Sequence, residues 1–540
     1  MPHAKRWLYL VHRWLGVLLC AFFAMWFLSG VVMMYVGYPK LTQAERLAHL
    51  PPLRNATLGT EPLLEPADAL ARAGLAGPLQ DLRLAAASGG RAVYLVVPAA
   101  PTGDAAPRPR RAPAPAVIDA LTGERLQRVD AEHALASARA FAQEPGARIA
   151  HLGTIDEDAF THSRALDVHR PLHRLHLGDS AGTVVYVSGT TGEVVRDAPL
   201  QERAWNYAGA WIHWLYPLRG NVFNGYWTDI VNWLSIAGIV LTLTGTVVGV
   251  LRWRFQGRYK TGSRTPYRGF MMRWHHVFGL VFALITFTWI FSGLMSMNPW
   301  KIFDSGAAPL RQQAMNGGPL VLPPQAAAVQ ALLSGVSPNT RDNTRELRWV
   351  QSAGHPLVLA YSPTGAPTLL DATTAAPHQW PPGAVAEAAA RLLPHAVVRT
   401  ETLTAYDLHY YDRATHTMTG GGDKPLPALR LVFDDPHATW VHIDPHTGAV
   451  LGRTDSYRRT SRWLFSMLHS WDWLPLLERR PLWDIVLIVL SLGGTLLSAT
   501  GVVIGLRRLG AKFAFAAGPA SQLAGQGRRR RARVLPTTGG

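Results

Sequence analysis

Four long apolar runs alternate with long mixed segments along the chain. The runs lie at 10–36, 227–251, 275–299 and 482–506, and each is long enough for a helix to cross a bilayer, which takes about 20 apolar residues. Between the first and second runs, and again between the third and fourth, short stretches of strand-like alternation are separated by turn signals. The pattern predicts four membrane helices and two large domains outside the membrane.

Positive charge is concentrated beside the apolar runs. The chain has a formal net charge of +17, yet residues 1–13, 252–274 and 507–540 contain no acidic residue. Basic flanks mark the cytoplasmic ends of membrane helices. We therefore expect a bacterial inner-membrane protein with both termini in the cytoplasm and both large domains in the periplasm. This distribution argues against a nucleic-acid partner. The basic tail is expected to contact membrane lipid or to act only as a flank of the last helix.

The membrane helices recur in pairs. The run "VHRWLGVLLCAFFAMWFLSG" returns 263 residues later as "WHHVFGLVFALITFTWIFSG", with a histidine and a Ser-Gly pair kept in place. The second and fourth helices match at an offset of 256, which aligns His213 with His469 and Gly245 with Gly501. Both copies have the same orientation. The chain is therefore read as two tandem parallel repeats related by a pseudo-two-fold axis along the membrane normal.

Each repeat consists of a helix, an outer domain and a returning helix. Stretches such as "VYVSGTTGEVV" and "WVHIDPHTGAVLG" predict strand–turn–strand units, while "AEHALASARAFAQ" and "AVAEAAARLLP" predict helices, so both outer domains are expected to be α+β. The Pro/Ala-rich stretch at 98–116 predicts a flexible loop. The predicted segments are the N-terminus with the first helix at 1–38, an outer domain at 39–210, the second helix at 211–254, a basic loop at 255–274, the third helix at 275–299, an outer domain at 300–466, the fourth helix at 467–508 and a basic tail at 509–540.

Histidines stand at matching ends of the repeated helices. His12 and His275 lie where a helix leaves the cytoplasm, whereas His213 and His469 lie where a helix enters from outside. Polar groups inside a membrane bundle are costly and often functional, and neutral imidazole is a common axial ligand of haem iron. Two levels of facing histidines predict two b-type haems. His276 adjoins His275 and could replace it as a ligand. The alternative for each of these histidines is an anchoring or capping role at the interface.

Other residues near the histidines are candidates for contact with a cofactor or a ligand. Gly16 and Gly279 would let a flat macrocycle approach the backbone, or would simply allow close packing of helices. Arg203, Arg459 and Arg462 would pair with haem propionates or an anionic substrate, or would contact lipid phosphate. No helix shows a charged, broken interior, which argues against a transporter.

Two further sequence features narrow the chemistry. Cys20 is the one cysteine of the chain, which excludes disulfides and zinc sites with paired cysteines. The stretch "HRPLHRLH", with His169, His173 and His176, has a spacing that could suit a metal. Its proline and the following "TVVYVS" favour a hairpin strand with a solvated histidine face instead.

These features together resemble the PepSY-associated transmembrane family. The resemblance is carried by "HRWLG" and "HHVFG" with "SG" fourteen residues on, by "WIHWLYP", and by the closing run from "DDPHATWVHIDPHTGAVLGR" to "SRWLFSMLHSWDWLPLLERRPLWD". It covers nearly the whole chain. It implies a bundle of four transmembrane helices with two periplasmic PepSY-like domains, two haems ligated at the four matching positions, and iron release from ferric siderophores. Some members carry a fused flavin-reductase domain that this sequence does not show, so we expect a separate electron donor.

The expected function is transmembrane electron transfer by a ferric-chelate reductase. A quinol or reduced flavin would supply the electron, and a ferric siderophore or other periplasmic acceptor would receive it. Reduction of Fe(III) to Fe(II) weakens binding to hard oxygen ligands. No individual catalytic residue is assigned. Two alternatives are a cytochrome b-type subunit that passes electrons to a partner protein, and a non-redox PepSY module that binds a ligand or regulates a protease.

Overall fold

The structure, a computed structural model, divides into two units. It describes residues 2–57, 62–99, 115–142, 146, 148–219, 222–337, 341–419, 421 and 424–531. The helical unit comprises Met1–Val31, Gly225–Trp300 and Trp463–Gly540, and the sheet unit comprises Val32–Asn224 and Lys301–Arg462. Most of the predicted Pro/Ala-rich loop, at 100–114, and the end of the basic tail, at 532–540, lie outside the described residues.

The helices and strands are numbered in chain order. The α-helices are α1 (Pro2–Tyr35), α2 (Gln43–His49), α3 (Leu53–Thr57), α4 (Pro66–Arg72), α5 (Ala131–Phe141), α6 (Leu200–Asn206), α7 (Trp227–Arg252), α8 (Phe270–Val281), α9 (Ala283–Ser296), α10 (Gln312–Asn316), α11 (Val329–Gly335), α12 (Ala384–Ala389), α13 (Ser456–Arg462), α14 (Leu474–Leu477) and α15 (Leu482–Arg531). The strands are β1 (Leu79–Ser88), β2 (Arg91–Pro98), β3 (Ala116–Asp119), β4 (Ala150–Ile155), β5 (Leu172–His176), β6 (Val184–Ser188), β7 (Val194–Ala198), β8 (Glu346–Ser352), β9 (His355–Tyr361), β10 (Thr368–Asp371), β11 (Val397–Leu403), β12 (Ala428–Phe433), β13 (Trp440–Ile443) and β14 (Val450–Thr454). Single π-helical turns lie at Tyr207–Trp211 and Trp463–Met467.

The chain is a multi-pass membrane protein. Among the described residues, three helices are long and apolar enough to cross a membrane, at His3–Tyr35, Asn224–Arg252 and Leu482–Lys512. The fourth predicted span is broken, because α8 and α9 meet at Phe282 with a bend of 67°. The sequence did not predict this break, but the break is not the charged, broken interior whose absence was expected, because residues 278–286 around it carry no charge. If the bent pair is one span, the chain has four.

Glycines let the helices of the helical unit approach closely. Helix α7 packs against α8 and α9, and α15 packs against α8. A Cβ atom at Gly494 of α15 would lie 2.4 Å from the ring of Phe27 in α1. One at Gly493 would lie 2.1 Å from the ring of Phe282, so this ring fills a notch in α15 at the level of the helix break. Small residues at crossings are a general device of membrane helix packing.

Three antiparallel sheets form the sheet unit. Strands β4–β7 make one four-stranded sheet and β11–β14 another, each within one repeat. The third sheet has six strands in the order β10-β9-β8-β1-β2-β3, so each repeat contributes three of them. The predicted mixture of sheets and interleaved helices is present. The shared sheet was not predicted, because nothing local in the sequence indicates that β1 pairs with a strand of the other repeat.

The two repeats meet where β1 pairs with β8. Arg83 lies opposite Arg348 in the register of this pairing, and "DLR" in β1 matches "ELR" in β8. The ion pairs across the junction are reciprocal, since Asp81 lies 2.7 Å from Arg348 and Glu346 lies 3.4 Å from Arg83. Two copies of one strand pair in this way about a two-fold axis.

Buried charges reinforce this junction. Glu346 is almost fully buried and also lies 2.7 Å from Arg46, while the buried Glu193, from the turn between β6 and β7, lies 3.3 Å from Arg83. Burial alone would raise the pKa of Glu193, but the neighbouring guanidinium groups of Arg83 and Arg46 hold that pKa below its ordinary value. Glu193 is therefore an ionised partner of these arginines.

Apolar cores cover the sheets. One face of the six-stranded sheet is covered by α4 and α11, and its core contains Leu82, Leu84, Tyr94, Leu347 and Trp349. Helix α5 packs on the sheet of β4–β7, and α12 packs on the sheet of β11–β14. Each repeat of the sheet unit is thus three strands, a helix and four strands, in that order along the chain.

Candidate functional site

Two histidines, one from each repeat, face each other in the helical unit. The ring centres of His12 in α1 and His275 in α8 are 6.3 Å apart, and the ring planes are inclined by 37°. The structure thus brings together the two residues that the repeated sequence aligns.

Each ring is oriented by the second helix of its own repeat. His12 Nδ1 lies 3.3 Å from the carbonyl oxygen of Leu241 in α7, and His275 Nδ1 lies 3.3 Å from that of Leu497 in α15. Because a carbonyl only accepts, Nδ1 carries the proton in both rings and Nε2 presents a lone pair, the tautomer that binds metal. Among the described residues, Nε2 of neither ring has a hydrogen-bond partner.

Repeated glycines make room for these rings. A Cβ atom at Gly245 of α7 would lie 2.5 Å from His12 Cε1. One at Gly501 of α15 would lie 3.3 Å from His275 Cε1 and 2.5 Å from Cys20 Sγ. The sequence shows both glycines as a match between the repeats, but only the structure shows that each forms the notch in which a histidine lies.

The histidine pair lines a cavity inside the helical unit. Its empty volume is about 1320 Å³, a figure that includes the solvent space at its open mouth. Gly16 and Gly279 line it, and a Cβ atom at either would meet the nearest leucine at 3.7 Å, an ordinary contact. Neither glycine is therefore required for helix packing, which favours the alternative that they leave space for a ligand.

His276 is held away from the pair by its own hydrogen bonds. Its Nε2 lies 2.8 Å from the carbonyl oxygen of Gly249, and its Nδ1 lies 2.7 Å from the hydroxyl of Thr265. The proton is therefore on Nε2, and Nδ1 accepts from Thr265. Both nitrogens are occupied, so of the two adjacent histidines it is His275 that pairs with His12 and keeps a lone pair on Nε2.

The donors of this site fit a haem. In the described part of the chain, no three His, Cys, Asp or Glu side chains are placed to hold a bare metal ion together, whereas two imidazoles suit the axial positions of a macrocycle that supplies the other ligands. With metal–imidazole bonds of about 2 Å, two ring centres on opposite sides of one iron are about 6 Å apart. The cavity around the pair is lined by glycines and is largely apolar.

The second pair of predicted histidines shares an unusual local backbone. His213 lies two residues after the π-helical turn Tyr207–Trp211, and His469 lies two residues after the π-helical turn Trp463–Met467. Two residues beyond each histidine the backbone is left-handed, at Leu215 with φ 53° and at Trp471 with φ 51°. Such a conformation is strained for a bulky residue, and both π-turns and strain are concentrated at functional sites.

His469 is fixed within the helical unit. Its Nδ1 lies 3.0 Å from the hydroxyl of the fully buried Ser292, and this hydroxyl donates to the carbonyl of Trp289. Ser292 therefore accepts the proton of Nδ1. By its contacts, His213 belongs to the sheet unit, whereas His469 belongs to the helical unit.

The three predicted arginines belong to the sheet unit and bind its backbone. Arg203 Nε donates to the carbonyl of Ala198 at 3.1 Å, and Arg459 Nη1 donates to the equivalent carbonyl of Thr454 at 3.4 Å. Arg462 donates through Nε to a backbone carbonyl of the same unit. These contacts give all three arginines a structural role. None of them lines the cavity of the histidine pair, whose described cationic residues are Arg13 and Arg508.

The histidines of "HRPLHRLH" lie on the predicted hairpin. Strand β5 contains His173, but this side chain is buried and not solvated as predicted. Its Nε2 lies 3.1 Å from the carbonyl of Val129, and its Nδ1 contacts His151 and Thr154. Its role is therefore to satisfy buried polar groups beside the sheet.

Comparison with known proteins gives one match. The family model described as PepSY-associated TM region matches residues 9–419. The matched range includes three of the four repeated histidines and ends before His469. No curated protein sequence matches the chain significantly.

Proposed function

Since the chain belongs to the PepSY-associated TM region family, we propose that it is a haem-containing oxidoreductase that moves electrons across a bacterial inner membrane to a periplasmic acceptor. The acceptor we propose is a ferric siderophore, whose reduction releases the iron. The proposal makes the chain a ferric-chelate reductase with two b-type haems.

The His12–His275 pair is the observation that carries this proposal. Two imidazoles 6.3 Å apart between ring centres, both with the metal-binding tautomer, line one cavity of the helical unit. When bound there, a bis-histidine haem supplies one-electron transfer at an iron with no open ligand position. The carbonyls of Leu241 and Leu497 hold the two rings in orientation.

Two positively charged side chains of the cavity are suited to bind the propionates of the haem proposed at His12 and His275. Arg13 of α1 and Arg508 of α15 both line the cavity, and Arg508 lies just after the apolar part of α15. Guanidinium groups bind carboxylates with charge-assisted hydrogen bonds. We propose that these two residues bind the propionates of the haem held by His12 and His275.

The assignment of a second haem to His213 and His469 rests on the repeat. The two histidines hold equivalent positions and share a preceding π-turn and a following left-handed residue. Equivalent backbone strain at equivalent positions argues for an equivalent task. A substitution that lets Leu215 or Trp471 leave the left-handed conformation is therefore expected to shift the histidine two residues before it.

The charge of the helix flanks suggests the direction of electron transfer, and the proposed acceptor defines the reaction. The basic flanks place the His12–His275 level toward the cytoplasm, where a quinol or reduced flavin would be the donor. A ferric chelate that gains one electron becomes a ferrous chelate, and hard oxygen ligands hold Fe(II) less tightly. The basic tail is proposed to contact anionic lipid.

The reduced-minus-oxidised visible spectrum of the purified protein, with haem quantified per chain, tests the proposal. We expect two low-spin b haems in the wild type, one in His275→Ala and one in His469→Ala. His276→Ala is the matched control, because this neighbour has both nitrogens occupied, and it should keep two haems.

The haem content of the wild type and the variants distinguishes an oxidoreductase from a binding module. Haem that survives His275→Ala but is lost in His276→Ala would reverse the ligand assignment. A colourless wild-type protein, made with ample haem supply, would remove the oxidoreductase proposal and favour a PepSY binding module.

A further inference from the structure

The break between α8 and α9 exposes a helix start inside the membrane. Helix α9 runs from Ala283 to Ser296, and the residue before it, Phe282, is non-helical and provides no side-chain cap. The first backbone N–H groups of a helix have no partner within the helix, and they carry a partial positive charge. Ala283, the first residue of α9, lines the cavity described above. These donors therefore border a space in which an acceptor can bind them.

A hydroxyl without a partner lies beside this helix start. Thr286 lines the cavity and is only 3% exposed, and its Oγ1 has no hydrogen-bond partner among the residues that the structure describes. The other serine and threonine hydroxyls of the cavity wall differ, since those of Thr242, Thr246 and Ser498 each donate to a helix carbonyl at 2.8–2.9 Å. A buried hydroxyl that lacks a partner costs about 1–3 kcal/mol, so a ligand that accepts its proton would be bound favourably.

The position of Thr286 separates it from the histidine pair. It follows His275 by eleven residues, which is about three helical turns. The cavity-lining residues near it are uncharged, including Phe23 and Ala283, whereas Arg13 and Arg508 accompany the histidine end. An uncharged wall with a few donors suits a neutral ligand that has an acceptor oxygen.

The same break also faces outward. Val281 and Leu284 flank it, and they are 67% and 75% exposed on the surface of the helical unit. In a membrane helix such apolar positions contact lipid. A ligand that dissolves in the bilayer can therefore reach the break from the side.

We infer that the helix start at Ala283 and the hydroxyl of Thr286 form a binding site for the head group of a quinone. A quinone is neutral, soluble in lipid and carries carbonyl oxygens that accept hydrogen bonds, which matches each property of the site. The donor groups are the N–H groups of the first turn of α9 and Thr286 Oγ1.

The inference rests on the proposed function for the role of this ligand, which is the electron donor. A quinol that becomes a quinone gives up two electrons and two protons. Two ferric chelates take one electron each and become ferrous, and the protons pass to water at the cavity mouth.

Binding can be measured without turnover. The full-length protein in detergent is dialysed to equilibrium against decylubiquinone, and separately against a short-chain menaquinone analogue, and bound quinone is counted per chain. Thr286→Val keeps the shape of the side chain and removes the hydroxyl, and Thr286→Ser restores a hydroxyl. Thr242→Val is the matched control, because the hydroxyl of Thr242 is already bonded within its own helix.

We expect about one quinone per wild-type chain and an affinity about tenfold lower in Thr286→Val, as befits one lost hydrogen bond. Thr286→Ser and Thr242→Val should bind like the wild type. Equal binding by all four proteins, or none by the wild type, would overturn the inference. Haem content is counted in the same samples, so a protein that binds haem but no quinone fails this inference alone, and a protein without haem fails the proposed function.

Discussion

At the scale of single residues, the candidate site depends on which nitrogen of each histidine carries its proton. The carbonyls of Leu241 and Leu497 take the proton of Nδ1 in His12 and His275, whereas His276 has both nitrogens occupied. The repeated sequence was sufficient to select His12 and His275 as a pair. It did not decide between His275 and His276. Adjacent residues on a helix are distinguished by where their side chains point and by their hydrogen-bond partners, and both depend on the folded structure.

A methyl group at Gly245 should displace His12. Because a Cβ atom there would lie 2.5 Å from His12 Cε1, Gly245→Ala is expected to force the ring out of place at a cost of about 1–3 kcal/mol and to reduce the haem count from two to one per chain. The visible spectrum with haem quantification measures this. Gly510→Ala is the control, since nothing lies within 4 Å of a Cβ atom at Gly510. Two haems with an unchanged spectrum in Gly245→Ala would contradict the role of this notch.

At the scale of elements, the sequence predicted the parts of the sheet unit better than their connections. Strand–turn–strand units such as β6–β7 and β13–β14 follow from local alternation and turn residues. The β1–β8 pairing does not, because its partners are distant in sequence and the choice depends on buried charges such as Arg83 and Glu346. The break at Phe282 was also missed, since the apolar run continues through it without a proline.

The charges at this junction should contribute strongly to stability. Glu346 is 1% exposed and contacts Arg46 and Arg83, so Glu346→Gln leaves buried guanidinium groups without their charge partner. Breaking a buried pair in this way costs about 3–5 kcal/mol. Chemical unfolding followed by intrinsic fluorescence measures the change.

The exposed ion pair between Arg54 and Asp342 provides the comparison. Asp342→Asn is expected to change the free energy of unfolding by about 1 kcal/mol or less. A Glu346→Gln protein as stable as the Asp342→Asn protein would show that the buried cluster does not hold the two repeats together.

The loop between β11 and β12 should detach at high pH. His416 of this loop lies 2.6 Å from Glu45 and 3.4 Å from Glu202, and its hydrogen bond to Glu202, together with the charges of both acids, raises the pKa of His416 to about 9. A raised pKa means that the stabilisation is complete below the ordinary pKa of about 6.5 and is lost as the pH rises through about 9. The partial exposure of these groups limits the effect.

The measurement is the melting temperature of wild type and His416→Gln as a function of pH. The wild type should be the more stable protein at pH 6, and the difference should disappear by about pH 10. The same substitution at the exposed His395 is the control and should give no such trend. A difference between wild type and His416→Gln that stays constant with pH would rule out an ionic role for His416.

At the scale of the whole molecule, one repeated unit builds both the helical unit and the sheet unit. The offsets of 263 and 256 in the sequence reappear as matched helices, matched π-turns and matched strands. The architecture could be predicted to this extent because a repeat constrains the whole chain at once. The departures from symmetry, such as the broken third span beside the continuous α1, depend on packing that the repeat does not encode.

The membrane topology depends on whether α8 and α9 cross the membrane as one span. If they do, four spans place both termini on the same side, and the basic flanks predict that this side is the cytoplasm. We expect green fluorescent protein to fluoresce when fused to either terminus, and alkaline phosphatase to be active when fused after Ser337. Fluorescence at only one terminus would indicate three spans, which would put β1 and β8 on opposite sides of the membrane and contradict their pairing in one sheet.

The reciprocal pairing of β1 with β8 also has a consequence for ancestry. A half-length forerunner with a single copy of "DLR" or "ELR" would expose that strand as a sheet edge with an acid and an arginine two residues apart. Such an edge is complementary to itself. Two forerunner chains would have paired through this edge strand. Each chain would have contributed one histidine of the facing pair. Duplication and fusion of the gene would then have joined the two chains covalently.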